Sequence, residues 1–436
     1  MGSSVMYERI DYFNQYGPVM QFEKNKDENI HRWYPFVEGY SKEFIRSIIN
    51  ELDYTPLSCL DPFAGSGTTP LELQKLGIKC YSFEVCPFMH DLSVSKMRTD
   101  YTLKGLNNNL NTLLEKIEDS PDNIDSILSL PEGKWIVERE GIDRWNFNRE
   151  VLKGIFDLKH AISMIKDTKY RDLFKIALAS ILLKVSNLYR NGKCLSYKPK
   201  WKEKVNYTRN DVHSLFFDRL NNIFIPDIKK LEKYKKQGNL FSNSKYCYFG
   251  DARKNIINLD DESIDLVITS PPYLNSRDYT DSYIVELKML DYLNNYSSMP
   301  EYRSRTLRSH VQVKWPETEP LNIYLLRNAI KKITKQKQEF WNESILDMIS
   351  GYFQDMDLLF THFSRILTHN GHIFFNVANS AYFGVEIKVA EIIAEIATSK
   401  GLQVEEIRNA RYINPSSQQK KSVSKLIESV LVISKP

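Results

Sequence analysis

A nine-residue turn, Asp61-Pro62-Phe63-Ala64-Gly65-Ser66-Gly67-Thr68-Thr69, constrains this chain more than any other stretch. It is entered from an apolar run, residues 57–63, that reads as a buried strand. Gly65 and Gly67 open backbone dihedrals closed to bulkier residues and let the main chain pass close to another group. A helical pattern then runs from about Thr68 to Leu76 and stops at Gly77. Cys80 to Val85 is a second apolar strand carrying Glu84 near its end. A helix this short between two such strands makes them parallel neighbours joined by a right-handed crossover.

The alternation resumes near Tyr246. Tyr246–Phe249 reads as a short strand ending in Gly250-Asp251, and Asp265–Thr269 as a strand buried on both faces. Apolar residues at helical spacing run from Ile345 to Leu367, with Asn370-Gly371 as the expected stop. A strand at His372–Val377, a helix at Val385–Ser399 and strands at Leu402–Arg411 and Ser429–Ser434 complete the pattern. The last two strands have no helix between them, so they are expected to pair antiparallel. The predicted fold is α/β, a Rossmann-like, mostly parallel sheet of seven strands with an antiparallel last pair and a largely helical insertion. Residues 1–98 and 245–436 supply the sheet. Residues 99–244 form the helical insertion, with a strong apolar segment from Val151 to Leu188, and 275–341 a polar, Tyr-rich second insertion.

Composition narrows the setting. With 42% hydrophobic and 26% charged residues the chain can build a core, and 436 residues suggest two domains or one with large insertions. No apolar run approaches the ~20 residues that cross a bilayer. Residues Met1–Tyr7 lack a basic-then-apolar signal pattern, so a soluble, cytoplasmic protein without membrane partners is expected. The five cysteines show neither a C-x-x-C pair nor zinc spacing, which points to reduced, buried thiols and no metal site.

Two turns carry the chemistry. In the first, the helix beginning at Thr68 offers free N–H groups to a carboxylate, and Asp61 stands where it can take an ammonium. Glu84 stands where an acid accepts the hydroxyls of a ribose. In the second, Thr269-Ser270-Pro271-Pro272-Tyr273 ends an apolar strand in a stiff polar clamp beside an aromatic face. The Ser270 hydroxyl and the Pro271 carbonyl are placed to accept hydrogen bonds from a planar amine. Tyr273 offers a ring on which an extruded base can stack.

Together these motifs resemble the amino-methyltransferases of DNA, which use S-adenosyl-L-methionine. The resemblance covers the sheet framework, about half the chain. It implies that Asp61, Pro62, Phe63, Ala64, Gly65, Ser66, Gly67, Thr68 and Glu84 hold the cofactor. It also gives Asp251 and Ala252 to the adenine, with helix capping as the alternative for Asp251, and Tyr34 to a segment, Trp33–Val37, that covers the methionine end. Ser270, Pro271, Pro272 and Tyr273 become the catalytic residues. Carbon methylation would need a Cys after a Pro, and none of the five cysteines follows one. Ser at position 270 is most frequent among enzymes that modify N4 of cytosine, with N6 of adenine as the alternative. RNA or a protein amide as substrate, and a DNA-binding subunit without activity, remain further alternatives. The implied setting is a bacterial or phage modification system acting on double-stranded DNA, with a cognate restriction endonuclease as a separate protein. The cofactor half precedes the catalytic half here, the reverse of most cytosine-N4 relatives, so the DNA-reading region has to be argued from charge.

Lys184, Arg190, Lys193, Lys198, Lys200, Lys202 and Lys204 are interleaved with Tyr189, Tyr197 and Trp201. A second group, Arg277, Arg303, Arg305, Arg308 and Lys314, follows the clamp. Cations among aromatics suit phosphate contacts and base packing. Arg190, Lys193, Lys198, Lys200, Lys202, Arg277, Arg303, Arg305 and Arg308 are the expected DNA contacts.

Overall fold

A computed structural model describes residues 7–118, 136–138, 140–191, 194–204, 206–236, 241–274, 278–293, 298–415 and 423–436. Its strands in chain order are β1 (Arg9–Asp11), β2 (Ser58–Asp61), β3 (Lys79–Glu84), β4 (Leu188–Asn191), β5 (Cys194–Tyr197), β6 (Cys247–Phe249) and β7 (Ile264–Thr269). They are followed by β8 (Leu367–Ala378), β9 (Ser380–Tyr382), β10 (Val385–Ile387), β11 (Gln403–Ile413) and β12 (Leu426–Ser434). Among the described residues the central sheet has eight strands in the order β1-β11-β12-β8-β7-β2-β3-β6. The pairings from β8 through β6 are parallel, and β12 is antiparallel to both β8 and β11. The mostly parallel α/β sheet with its antiparallel end is therefore as expected, with an eighth strand added. That strand, β1, is only three residues long and pairs parallel to β11 through Arg9–Asp11; so short a segment has no readable period.

Helices cover both faces. On one, Ile345–Ile366 and Val389–Ser399 bury Ile349, Phe353, Phe360, Ile393 and Ile396 against β7, β8 and β12. On the other, Lys42–Glu51 puts Phe44, Ile45 and Ile48 against β2 and β7. The apolar period that fixes this burial is three to four residues, one stripe of a helix facing the sheet. The segment after Thr99 packs helices Leu103–Glu118, Arg149–Ser163, Thr168–Val185 and Arg209–Arg219 into an apolar cluster that continues into Trp33, Tyr34, Phe88 and Leu92 of the N-terminal part and Leu287 after the second turn. The apolar stretch Val151–Leu188 is two helices, broken near Met164.

Two boundaries differ from the sequence reading. The long helix ends at Ile366, not at Asn370-Gly371, because Leu367 already pairs with Ile264 and opens β8. Asn370 keeps a positive φ of 60° within that strand. The next helix begins at Val389, since Val385–Ile387 is taken by a small hairpin with β9. Sheet pairing overrides the local helical period in both places.

Candidate active site

The carboxyl ends of β2, β3 and β7 lie side by side where the strand order reverses, the place at which open α/β sheets form a ligand crevice. Here they border a cavity of about 460 Å³. Its wall includes Pro62, Phe63 and Gly65 from the first turn, Glu84 and Cys86 from the end of β3, and Asp251-Ala252 after β6. Ser270, Pro271, Pro272 and Tyr273 form another part of the same wall. Two turns about two hundred residues apart in the chain thus share one cleft.

The Gly-rich turn is clamped from both sides. Gly65 has φ +52°, and a Cβ there would come within 3.0 Å of the Phe36 ring. Gly67 has φ +79°, and a Cβ there would meet the Ser93 hydroxyl at 2.8 Å. Beneath the turn, Ser93 Oγ donates to the Gly65 carbonyl at 2.9 Å, and the buried Lys96 Nζ donates to the Ser66 carbonyl at 3.0 Å. Both come from helix Pro87–Met97. Glu84 closes the arrangement, its Oε2 accepting from Gly65 N at 2.8 Å and its Oε1 from Cys86 N at 2.7 Å. Burial pushes Glu84 up to about 7, against those two N–H bonds.

Several expected contacts are arranged differently. Asp61 is buried and off the cavity wall: its Oδ1 accepts from Thr269 Oγ1 at 2.8 Å and from Phe63 N at 3.1 Å. It therefore ties the tip of β2 to the tip of β7, and burial raises it to about 6. Ala64, Ser66, Gly67 and Thr68 are also buried behind the wall. Tyr34 is fully buried, with its hydroxyl donating to Glu286 Oε1 at 2.6 Å, so it does not border the cavity; Phe36, Val37 and Glu38 do. Asp251 borders the cavity while capping helix Ala252–Asn255, with both oxygens on the Arg253 guanidinium. The capping role weighed for Asp251 is the one the geometry displays.

At the second turn, Ser270 Oγ donates to the Tyr273 hydroxyl at 3.3 Å, which in turn donates to Glu428 Oε1 at 2.5 Å. Asn376 Nδ2 donates to Tyr273 Oη at 2.7 Å and to Ser270 Oγ at 3.4 Å. Asn376 on β8, Arg411 on β11 and Glu428 on β12 all line the cavity and were missed in the sequence. The available signal was weak: Asn376 and Glu428 interrupt apolar runs, while Arg411 is one of several polar residues in its strand. Cys86 also lines the cavity, but burial pushes its thiol up to about 12, away from the reactive thiolate.

Comparisons with known proteins bear on this geometry. No protein-family model matches the chain. The Type II methyltransferase M.BsoBI of Geobacillus stearothermophilus is 25% identical over 446 residues, covering 91% of this chain and 82% of its own length. The Type II methyltransferase M.AvaI of Nostoc sp. is 25% identical over 421 residues, covering 89% of this chain and 82% of its own. Over about nine-tenths of its length the chain is thus similar to Type II DNA methyltransferases. A shorter match, 25% over 289 residues, is to the Type II methyltransferase M.MvaI of Kocuria varians.

In this chain four of the expected DNA contacts are held in internal hydrogen bonds and ion pairs. Arg190 Nη2 bonds Glu286 Oε1 at 2.7 Å and the Tyr34 hydroxyl, with Glu286 fully buried. Lys198 Nζ caps a helix end, donating to the carbonyls of Leu183 and Lys184 at 3.1 and 2.9 Å. Arg303 is paired with Asp278 at 2.7 Å and Asp281 at 2.6 Å, and Arg308 with Asp355 at 2.8 Å. Their donors are consumed by carboxylates, all but Asp281 buried, and by carbonyls. Lys200, Lys202 and Arg305 are exposed, Lys202 lying over the Trp145 and Trp201 rings at 5.6 and 5.5 Å. Arg305 borders the cavity mouth. Lys193 and Arg277 lie outside the described residues. Among the described residues no group of three or more His, Cys, Asp or Glu is placed to hold a metal, and no helix is long and apolar enough to cross a membrane.

Proposed function

We propose that this protein methylates the exocyclic N4 of cytosine at a specific site in duplex DNA, using S-adenosyl-L-methionine, as the modification half of a restriction–modification system. The observation that carries the reading is the single cavity shared by the Gly65 turn and the Ser270–Tyr273 clamp. When bound, the cofactor supplies an electrophilic methyl group on a positively charged sulfur.

The residues present fit such a ligand. Gly65 presents bare backbone where a side chain would not fit under Phe36. Glu84 keeps lone pairs beyond its two N–H bonds, enough for a ribose diol. Ala252 gives a small apolar surface beside it. The Ser270 proton is directed at Tyr273 and one lone pair takes the long bond from Asn376, which leaves the other lone pair to accept from an amine; the Pro271 carbonyl supplies a second acceptor. Two acceptors on one amine draw its nitrogen toward a tetrahedral shape and free its lone pair. Tyr273, fixed at its hydroxyl by Glu428, holds a ring still for base stacking. The stiff Pro271-Pro272 step leaves little to order during reaction. The segments 99–244 and 275–341, with Lys200, Lys202 and Arg305 exposed, are the proposed DNA-facing parts, and a cognate endonuclease is the proposed separate partner.

Sequencing that detects modified bases in DNA from expressing cells tests this. The expected result is N4-methylcytosine at one recurring sequence, absent in Ser270→Ala, while the variant binds S-adenosylhomocysteine as tightly as the parent. N6-methyladenine instead would move the reading to adenine, and methyl transfer to RNA alone would defeat it.

A further inference from the structure

The antiparallel end of the sheet reaches into the cavity through one ion pair. Arg411 and Glu428 face each other directly across β11 and β12, and the ladder slips by one residue between Asn409 and Arg411. Such a bulge turns a side chain to a new direction, and bulges concentrate beside active sites. Here it accompanies an arginine on the cavity wall. Arg411 Nε donates to Glu428 Oε2. The other Glu428 oxygen holds Tyr273 at 2.5 Å and Asn376 Nδ2 at 3.0 Å. Glu428 is 2% exposed, so its position is fixed from three sides.

The hydrogen-bond inventory of this corner leaves one set of donors over. The Asn376 amide hydrogens go to Tyr273, Glu428 and Ser270. Tyr273 gives its proton to Glu428, and Ser270 gives its own to Tyr273. Among the described residues, Arg411 is bonded through Nε to Glu428, and its two terminal nitrogens have no partner.

Cytosine and adenine present the same amine but different neighbours. Beyond N4, cytosine shows two acceptors, N3 and O2. Beyond N6, adenine shows one acceptor, N1, and then a carbon-bound hydrogen. The Ser270–Pro271 clamp reads only the amine and is indifferent to this. A guanidinium with two free, parallel donors matches the pair of acceptors and mismatches the single one.

We propose that Arg411, aimed by the bulge and held by Glu428, selects cytosine by donating from its terminal nitrogens to N3 and O2 of the extruded base. Glu428 has a second purpose in this arrangement. The amine gains positive charge as it takes up the methyl group, and an unpaired cation beside it would oppose that. The ion pair presents the donors without the field. The inference rests on the N4-cytosine reading above and supplies its base specificity.

The test uses the full chain and two duplexes that differ only at the target position, cytosine in one and adenine in the other, within the sequence found by modified-base sequencing. Arg411→Met should lower kcat/KM on the cytosine duplex by about ten- to hundredfold, leave the trace rate on the adenine duplex unchanged, and so narrow the ratio. Arg411→Lys keeps the charge beside Glu428 and the fold but loses the fork, and should also lose discrimination. Equal losses on both duplexes, or a ratio kept in Arg411→Lys, would overturn the role of Arg411 while leaving the cytosine reading intact. A parent enzyme that yields N6-methyladenine would overturn that reading itself.

Discussion

Glu84 stands at the junction of two demands. Its oxygens accept from Gly65 N and Cys86 N, which favours the carboxylate, yet burial outweighs them and carries it from 4.5 to about 7. Because the folded value is raised, folding holds a proton that the unfolded chain releases between about 4.5 and about 7. Its contribution to stability is therefore full at low pH and is lost as pH rises through that window. Ligand binding should run the other way. An ionised carboxylate accepts ribose hydroxyls more strongly than a neutral acid, so S-adenosylhomocysteine affinity should climb as pH rises through about 7. Glu84→Gln should bind about ten- to hundredfold more weakly at high pH and show a flat profile. Calorimetric titration across that range checks both; an unaltered climb in the variant would remove Glu84 from the site. Asp61 shows how far a residue can be read from its neighbours. Its place at a strand tip was legible, but its turn inward to Thr269 was not, since that partner is supplied by β7 from far along the chain.

Helix Pro87–Met97 works as a shelf under the Gly-rich turn, and its least ordinary member is Lys96. The ammonium is wholly buried with the Ser66 carbonyl as its hydrogen-bond acceptor, and burial lowers it to about 7. Between about 7 and the unfolded value of 10.5 the unfolded chain binds the extra proton, so this group makes stability rise with pH over that span. Lys96→Met should abolish that rise, which denaturant melts at about pH 7 and about pH 9 would reveal; the same slope in both proteins would show Lys96 to be solvated. The elements themselves were mostly legible. The strands before each motif announced themselves by composition, and the amphipathic helices by period. What stayed hidden were choices made by pairing: the early start of β8 at Leu367, the small hairpin that trims the helix at Val389, and the three-residue β1. No local pattern carries the register of a distant strand. The inward polar residues Asn376, Arg411 and Glu428 were hidden for the same reason, each looking like an ordinary interruption until the strands were set side by side.

At the scale of the whole molecule, a buried ion pair fastens the helical segment to the stretch that follows the Ser270–Tyr273 turn. Arg190, on the β4–β5 hairpin, reaches the buried Glu286 in helix Ile284–Met289 and touches the carbonyls of Ser282 and Pro35 as well. Charge alone had grouped this arginine with Lys202 as a DNA contact, and the two are now separable by burial. Removing one partner of a buried pair strands the other, at about 3–5 kcal/mol. Arg190→Ala should therefore lose stability of that order, while Lys202→Ala should melt like the parent. DNA binding separates them in the opposite sense. If Lys202 meets a phosphate, its loss lowers the slope of log affinity against log salt by about one, uniformly across sequences. Because the ammonium sits over two tryptophan rings, the Trp201→Ala variant should reproduce part of the weakening without changing that slope. Denaturant melts and salt-dependent binding on the same proteins test the division. Unchanged salt dependence in Lys202→Ala would place the DNA track elsewhere on the molecule, and intact stability in Arg190→Ala would mean that the insertion is held by its apolar packing alone.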